Sequence, residues 1–160
     1  AQVLDPEMPY VSIVDLGIVR AVVETQEALE VTLTPTFSAC PAMEQMQSEA
    51  VHALQSLTNK SITVKQKLSP AWSSDWISPA GQAKLLAAGI VPPAKRQECR
   101  DSQNSNETVG IQAVHFHPRL NCPRCASKQS ELLSAFSSTS CKALYRCTSC
   151  LEPFEVIKTI

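Results

Sequence analysis

Seven cysteines punctuate the chain, at positions 40, 99, 122, 125, 141, 147 and 150. Four of them repeat one spacing, Cys122-Pro123-Arg124-Cys125 and Cys147-Thr148-Ser149-Cys150, with residues 126–146 between the pairs. A CxxC pair on a tight turn presents two thiolates to one ion. Two such pairs supply the four ligands of a tetrahedral zinc site, with Zn–S near 2.3 Å. A four-thiolate iron site has the same spacing, and two disulfides or free thiols are the plain alternative. A disulfide framework calls for an even cysteine count and a secreted context. The count here is odd, and Ala1–Pro6 carries neither the basic nor the apolar segment of a signal peptide.

Cys40 stands apart from this set. It precedes Pro41 and an apolar pattern of helical period, so the sequence places it at a helix N-cap with Pro41 in the first helical position. Free N–H groups and the helix dipole there favour a thiolate and lower its pKa. Such a thiol can ligate a metal, accept a cluster or act as a nucleophile; the alternative is a small buried hydrophobe. Asp5-Pro6-Glu7 and Asp15-Leu16-Gly17 read as turns. Their carboxylates are either solvated turn-formers or, if near Cys40, aids to metal binding or proton transfer. His52 lies on the helix. His115 and His117 alternate on a strand and read as a surface pair. Trp72 and Trp76 read equally as satellite core or as a partner-binding surface. Cys99 reads as incidental, and Cys141, without a CxxC partner, as a supporting thiol behind the ribbon ligands. The four glycines are too scattered for a phosphate loop, and no Ser-His-Asp or Cys-His-Asp arrangement stands out.

These residues need elements to hold them. Ile18–Val23 is β-rich, Leu29–Thr34 alternates as a half-buried strand, and Thr25–Ala28 suits the turn between them. Met43, Met46, Ala50, Val51, Leu54 and Leu57 recur at helical spacing, with the methionines as core filler. Ile62–Leu68 alternates again, and Ser78-Pro79 opens a second helix ending near Gly89. The order is β-β-α-β-α, a small sheet covered by helices. Short strands follow at Val114–His117, Leu132–Phe136, Lys142–Arg146 and Phe154–Ile157. A segment this short buries little core and needs a staple. Structural zinc contributes about 10–16 kcal/mol in finger peptides, so the second part reads as a zinc ribbon. The expected class is α+β: a small mixed sheet with helices over 1–91, a polar linker over 92–112, and an all-β ribbon over 113–160.

Composition narrows the function. Fourteen basic groups against fifteen acidic ones leave a net charge of −1 over 160 residues, which gives no case for a nucleic-acid binder. Residues 1–90 carry five basic and nine acidic groups, residues 91–160 nine and six. The excess in the second part is too small to alter that conclusion. No apolar run is long enough for a transmembrane helix, so no membrane partner is expected.

The opening Asp5-Pro6-Glu7-Met8-Pro9 and Ile13–Val19, with Thr34–Ala42 around Cys40, resembles the SufT-like iron–sulfur assembly domain. The tail from Cys122 through Phe136–Cys147 to Glu152-Pro153-Phe154, with Trp72–Ser78, resembles the PaaD family of accessory proteins of the bacterial phenylacetyl-CoA epoxidase system. The resemblance covers nearly the whole chain. It implies a cytoplasmic, non-catalytic factor that helps mature a metal centre of the ring-epoxidising monooxygenase complex, either its di-iron oxygenase or its iron–sulfur reductase. By the same resemblance Cys40 matches the family's reactive cysteine, Asp15 a motif carboxylate, and Cys122, Cys125, Cys147 and Cys150 the ribbon's zinc ligands. Ala39, Ser138 and Ser69 depart from the family's usual Gly, Gly and Asp. The cargo implied is a transient iron–sulfur cluster or iron. One Cys40 per chain cannot supply the four ligands a cluster commonly takes, which raises a homodimer bridging one cluster. The competing reading is a structural adaptor of the same complex. A thiol enzyme is a third, weakened because no resolving cysteine lies near Cys40 in sequence.

Overall fold

The computed structural model describes residues 3–93 and 120–158. The expectations for Cys99, for His115 and His117 on their strand, and for most of the linker lie outside the described residues.

Two short strands, β1 (Leu4–Asp5) and β2 (Met8–Ser12), form an antiparallel hairpin. The Asp5 carboxylate closes its turn, with Oδ1 accepting N–H bonds from Glu7 at 2.8 Å and Met8 at 3.0 Å. The next sheet has the order β3-β4-β5, from β3 (Val19–Glu24), β4 (Ala28–Leu33) and β5 (Ser61–Gln66). β3 and β4 are antiparallel around a turn closed by the Thr25 N–H to Ala28 O bond of 2.8 Å. β4 and β5 are parallel, with helix α1 (Met43–Gln55) as the crossover between them. The alternation expected of β4 is observed: Leu29, Val31 and Leu33 are buried while Glu30 and Thr32 lie nearer solvent. Met43, Met46 and Ala50 of α1 are buried as well, but Leu57 lies beyond the helix end and is 80% exposed.

Helix α2 (Pro79–Ala87) starts where the sequence places it. Ser78 is its N-cap, and its hydroxyl accepts the Gly81 N–H at 2.9 Å. Gly89 follows the helix with φ +76°, the left-handed stop expected of it. The chain then makes β6 (Ile90–Val91), which no sequence pattern marks.

The ribbon consists of β7 (Ser130–Ser134), β8 (Lys142–Cys147) and β9 (Pro153–Ile157), joined antiparallel. β6 pairs in parallel with β9, so the sheet runs β6-β9-β8-β7 and includes a strand from the N-terminal part. The two parts also share a core. Met8, Val11, Leu16, Leu33, Met46, Trp72 and Leu85 pack in one buried cluster with Ile90, Cys141 and Ile157. A second cluster, containing Val91, Leu120, Tyr145, Cys147, Phe154 and Val156, lies inside the ribbon. The fold is α+β, a mixed sheet with helices followed by a β-ribbon. No helix of the described residues is long and apolar enough to cross a membrane.

Candidate metal centre and thiol site

Each CxxC pair forms a knuckle with the same backbone shape. In the first, Ala126 N–H bonds Cys122 O at 2.9 Å, and Ala126 has φ +59°. In the second, Leu151 N–H bonds Cys147 O at 3.0 Å, and Leu151 has φ +62°. The residue after each second cysteine therefore turns the chain away through the left-handed region. The knuckles are tied together by a Ser127–Ser149 hydroxyl hydrogen bond of 2.8 Å and an Arg124–Glu152 ion pair of 2.6 Å.

The four sulfurs of Cys122, Cys125, Cys147 and Cys150 all lie within 4.8 Å of one another. Two of the pairs, Cys122–Cys150 and Cys125–Cys147, are 3.7 and 3.6 Å apart. A tetrahedral ion with Zn–S near 2.3 Å requires S···S of about 3.8 Å, so the donor set fits a structural zinc. Cys147 and Cys122 are buried, while Cys125 and Cys150 face solvent. The Cys150 N–H points at Cys147 Sγ from 3.5 Å, and this donation lowers the Cys147 thiol pKa. Disulfides are not formed in this arrangement.

Cys40 lies elsewhere, on the loop between β4 and α1. Here the structure corrects the expected placement. The N-cap is Ala42 and the helix begins at Met43, so Cys40 and Pro41 both precede it. The Cys40 thiol is accordingly not lowered. Burial pushes it up to about 11; the Ala42 N–H opposes this, and the charges of Glu7, Asp5 and Cys141 add to it. Desolvation and neighbouring anions outweigh the single N–H donor.

Asp15 is not among the carboxylates whose charge reaches Cys40. Its Oδ2 accepts from Lys84 Nζ at 2.6 Å and Ser12 Oγ at 2.9 Å, and its Oδ1 from Ser78 Oγ at 3.1 Å. The Lys84 bond, with those from Ser12 and Ser78 opposing a burial penalty, holds the carboxyl down at about 2. Asp15 thus clamps the 13–17 turn to the start of α2. Close approach there needs glycine: a Cβ on Gly81 would meet Asp15 O at 2.6 Å, and one on Gly17 would meet Trp76 O at 2.4 Å. The turn is further held by the buried Trp72, whose Nε1–H donates to Leu16 O at 2.9 Å. Trp76 lies beneath the Arg20 guanidinium, 3.4 Å from its ring centroid. The tryptophan loop is therefore mainly core. His52 is an exposed helix residue away from the cysteines of the described metal set.

The charges that bear on Cys40 are those of Glu7, Asp5 and Cys141. The sequence marks Asp5 and Glu7 but assigns Cys141 only a supporting place in the ribbon. Cys141 is 6% exposed and belongs to the shared core against which Cys40 packs. No local motif marks this, because the residues come from positions 5–7, 40 and 141.

The N-terminal 65 residues match the model of an iron–sulfur cluster assembly protein, and residues 106–158 match that of the PaaD zinc beta ribbon domain. Over all 160 residues the chain is 40% identical to a protein of Escherichia coli (strain K12), covering 88% of it; that protein is provisionally named as a component of 1,2-phenylacetyl-CoA epoxidase. The chain belongs to the PaaD family. A crystal structure of a domain of unknown function, DUF59, from Bacillus anthracis is also similar, at 31% identity over 52% of this chain and 80% of that one, with a TM-score of 0.48. In this PaaD-family chain the residues of the two matches share one core, and β6, from between them, pairs with the ribbon's β9.

Proposed function

We propose that the protein is a non-catalytic, cytoplasmic assembly factor that loads an iron–sulfur or di-iron centre into the phenylacetyl-CoA ring-epoxidising complex. Residues 1–91 act as the assembly domain and 113–160 as the ribbon, with 92–112 between them. Iron or a cluster is cargo here, while the ribbon's zinc is resident and structural. The observation that carries the reading is the coupling of an iron–sulfur assembly domain, with its half-buried Cys40, to a PaaD ribbon in one chain. The 40% identity to the Escherichia coli protein supports the epoxidase as the client.

Cys40 serves as the loading thiol. Its raised pKa keeps it protonated at neutral pH, so it holds cargo only when an incoming cation displaces the proton.

The test is maturation of the epoxidase components in cells carrying wild-type protein or Cys40→Ser. Expected is client protein of normal abundance that is metal-poor and at least ten-fold less active with Cys40→Ser, while the variant keeps one zinc per chain. Normal client metallation with Cys40→Ser overturns the reading. One observation favours the adaptor alternative: an apolar cavity of about 500 Å³, lined by Val14, Val22, Val31, Leu54 and Leu57 among others, opens beside α1. A stoichiometric complex with the epoxidase that survives purification and ignores Cys40→Ala would establish it.

A further inference from the structure

Among the described residues the β3-β4-β5 sheet ends in two open edges, and they differ. β5 and the residues flanking it carry Lys60, Lys65 and Lys67 and no carboxylate. Lysines of this kind keep an open edge from pairing with other strands. β3 has no such guard. Its middle exposes Val22 by 58% and Val23 by 55%, with Arg20 toward one end and Glu24 at the other. Its backbone is also turned outward. The bonded Thr25–Ala28 pair closes the hairpin with β4, so by the alternation of an antiparallel ladder Val23–Glu30 and Ala21–Thr32 are the bonded pairs that follow. The peptide groups of Val22 and Glu24 therefore point away from β4, and no further strand of the described residues meets them.

We propose that the β3 edge is a homodimer interface: two copies join antiparallel along it, Val22 facing the partner's Val22 across a two-fold axis, to make one continuous sheet. The occupant is a second copy because the edge is complementary to itself. In that register the Arg20 end of each strand lies beside the Glu24 end of the other, twice per dimer, and the central pair joins two outward-facing peptide groups. A slip of two residues would set Glu24 against the partner's Val22 and leave the charges unmatched. A bulge between Val19 and Ala21 interrupts the regular ladder, so Arg20 contributes through its side chain. Both charged side chains are held near the edge. Arg20 lies over the Trp76 ring, and Lys60 Nζ bonds Glu24 Oε1 at 2.6 Å, leaving Oε2 without a partner among the described residues.

The apolar surface beside the edge agrees with this arrangement. Val22 stands opposite the buried Val31 in register, so it lies on the face of the sheet that α1 covers. There it lines the apolar cavity with Val14, Leu54 and Leu57. Val14 and Leu57 are exposed as well, so apolar surface continues from the strand edge toward α1. A strand laid along β3 takes Val22 out of water and pairs the open peptide groups in the same step. The proposal stands apart from the assembly role: it concerns how two copies meet, whichever part Cys40 plays.

The experiment uses the full chain with zinc in its ribbon. Sedimentation through the micromolar range reads the association state, and amide hydrogen exchange by NMR at the dilute and concentrated ends reads the interface. A monomer–dimer equilibrium is expected. On dimerisation the Val22 and Glu24 amides should slow by about ten-fold or more, while those of Ala21 and Val23, already bonded to β4, change little. A monomer throughout the series, or a dimer that leaves the Val22 and Glu24 amides unprotected, overturns the proposal, and neither result depends on a variant folding. Charge reversal then checks the register. Arg20→Glu and Glu24→Arg each set like charges opposite one another twice per dimer, and each should weaken dimerisation by about ten-fold with circular dichroism unchanged. The two substitutions together should restore it. A double variant that dimerises no better than either single one overturns the charge-paired register.

Discussion

Asp15 illustrates how one residue type serves a different end from the one its motif suggests. Its carboxylate is partly covered by its neighbours and saturated by Lys84, Ser12 and Ser78. With the folded pKa near 2, below the ordinary carboxylate value, Asp15 stabilises the fold above pH 4. That contribution is lost as pH falls through about 2. Lys84 is 47% exposed, so solvent screens the pair; Asp15→Asn should cost about 1–2 kcal/mol at pH 7. Urea unfolding at pH 7 and pH 2 checks the sign: the variant's deficit should be large at pH 7 and shrink toward zero in acid. Asp5 and Glu7, drawn from a motif read as a plain turn, are instead the carboxylates whose charge bears on Cys40. Sequence could name all three acids. It could not rank them, because the ranking depends on whether a lysine on α2 or a thiol from another segment stands opposite.

The elements show where pattern is enough and where it is not. β4 and α1 were legible because Leu29, Val31 and Leu33 and then Met43, Met46 and Ala50 repeat at the periods of strand and helix. The knuckles were legible because their ligands sit three residues apart. β2 was missed because Pro9 interrupts its alternation, and the strand tolerates it at an exposed position. β6 was missed because two residues before Pro92-Pro93 carry no period at all. The knuckles also hold a local cost. Leu151 adopts φ +62° with its side chain 66% exposed, so little packing offsets the strain of a left-handed non-glycine residue. Leu151→Gly should therefore stabilise the zinc-loaded ribbon by up to about 1 kcal/mol, after the entropy that glycine adds to the unfolded chain. Its thermal midpoint against the parent at saturating zinc measures this.

At the scale of the molecule, the two parts are not independent beads. Ile90 and Ile157 lie in one core with Leu33 and Met46, so the ribbon's last strand braces the N-terminal sheet. Removal of zinc should unfold more than the ribbon. Chelation is expected to speed hydrogen exchange at β4 amides at least ten-fold, although the ribbon's four cysteines are all remote from that strand in sequence. Unchanged exchange in β4 after zinc loss would show that the seam carries little energy. The same integration explains why Cys141 was illegible as a core residue: it packs with Leu33 and Met46 only when the ribbon folds back onto the first sheet.

The parallel pair between β6 and β9 has one more consequence. β9 turns its outer side toward Ile90 and Val91, which occupy hydrogen-bonding groups that a ribbon alone would leave open. Truncation of Ile90 and Val91 would therefore leave β9 with an unpaired outer edge, the kind of edge that recruits a strand from another chain.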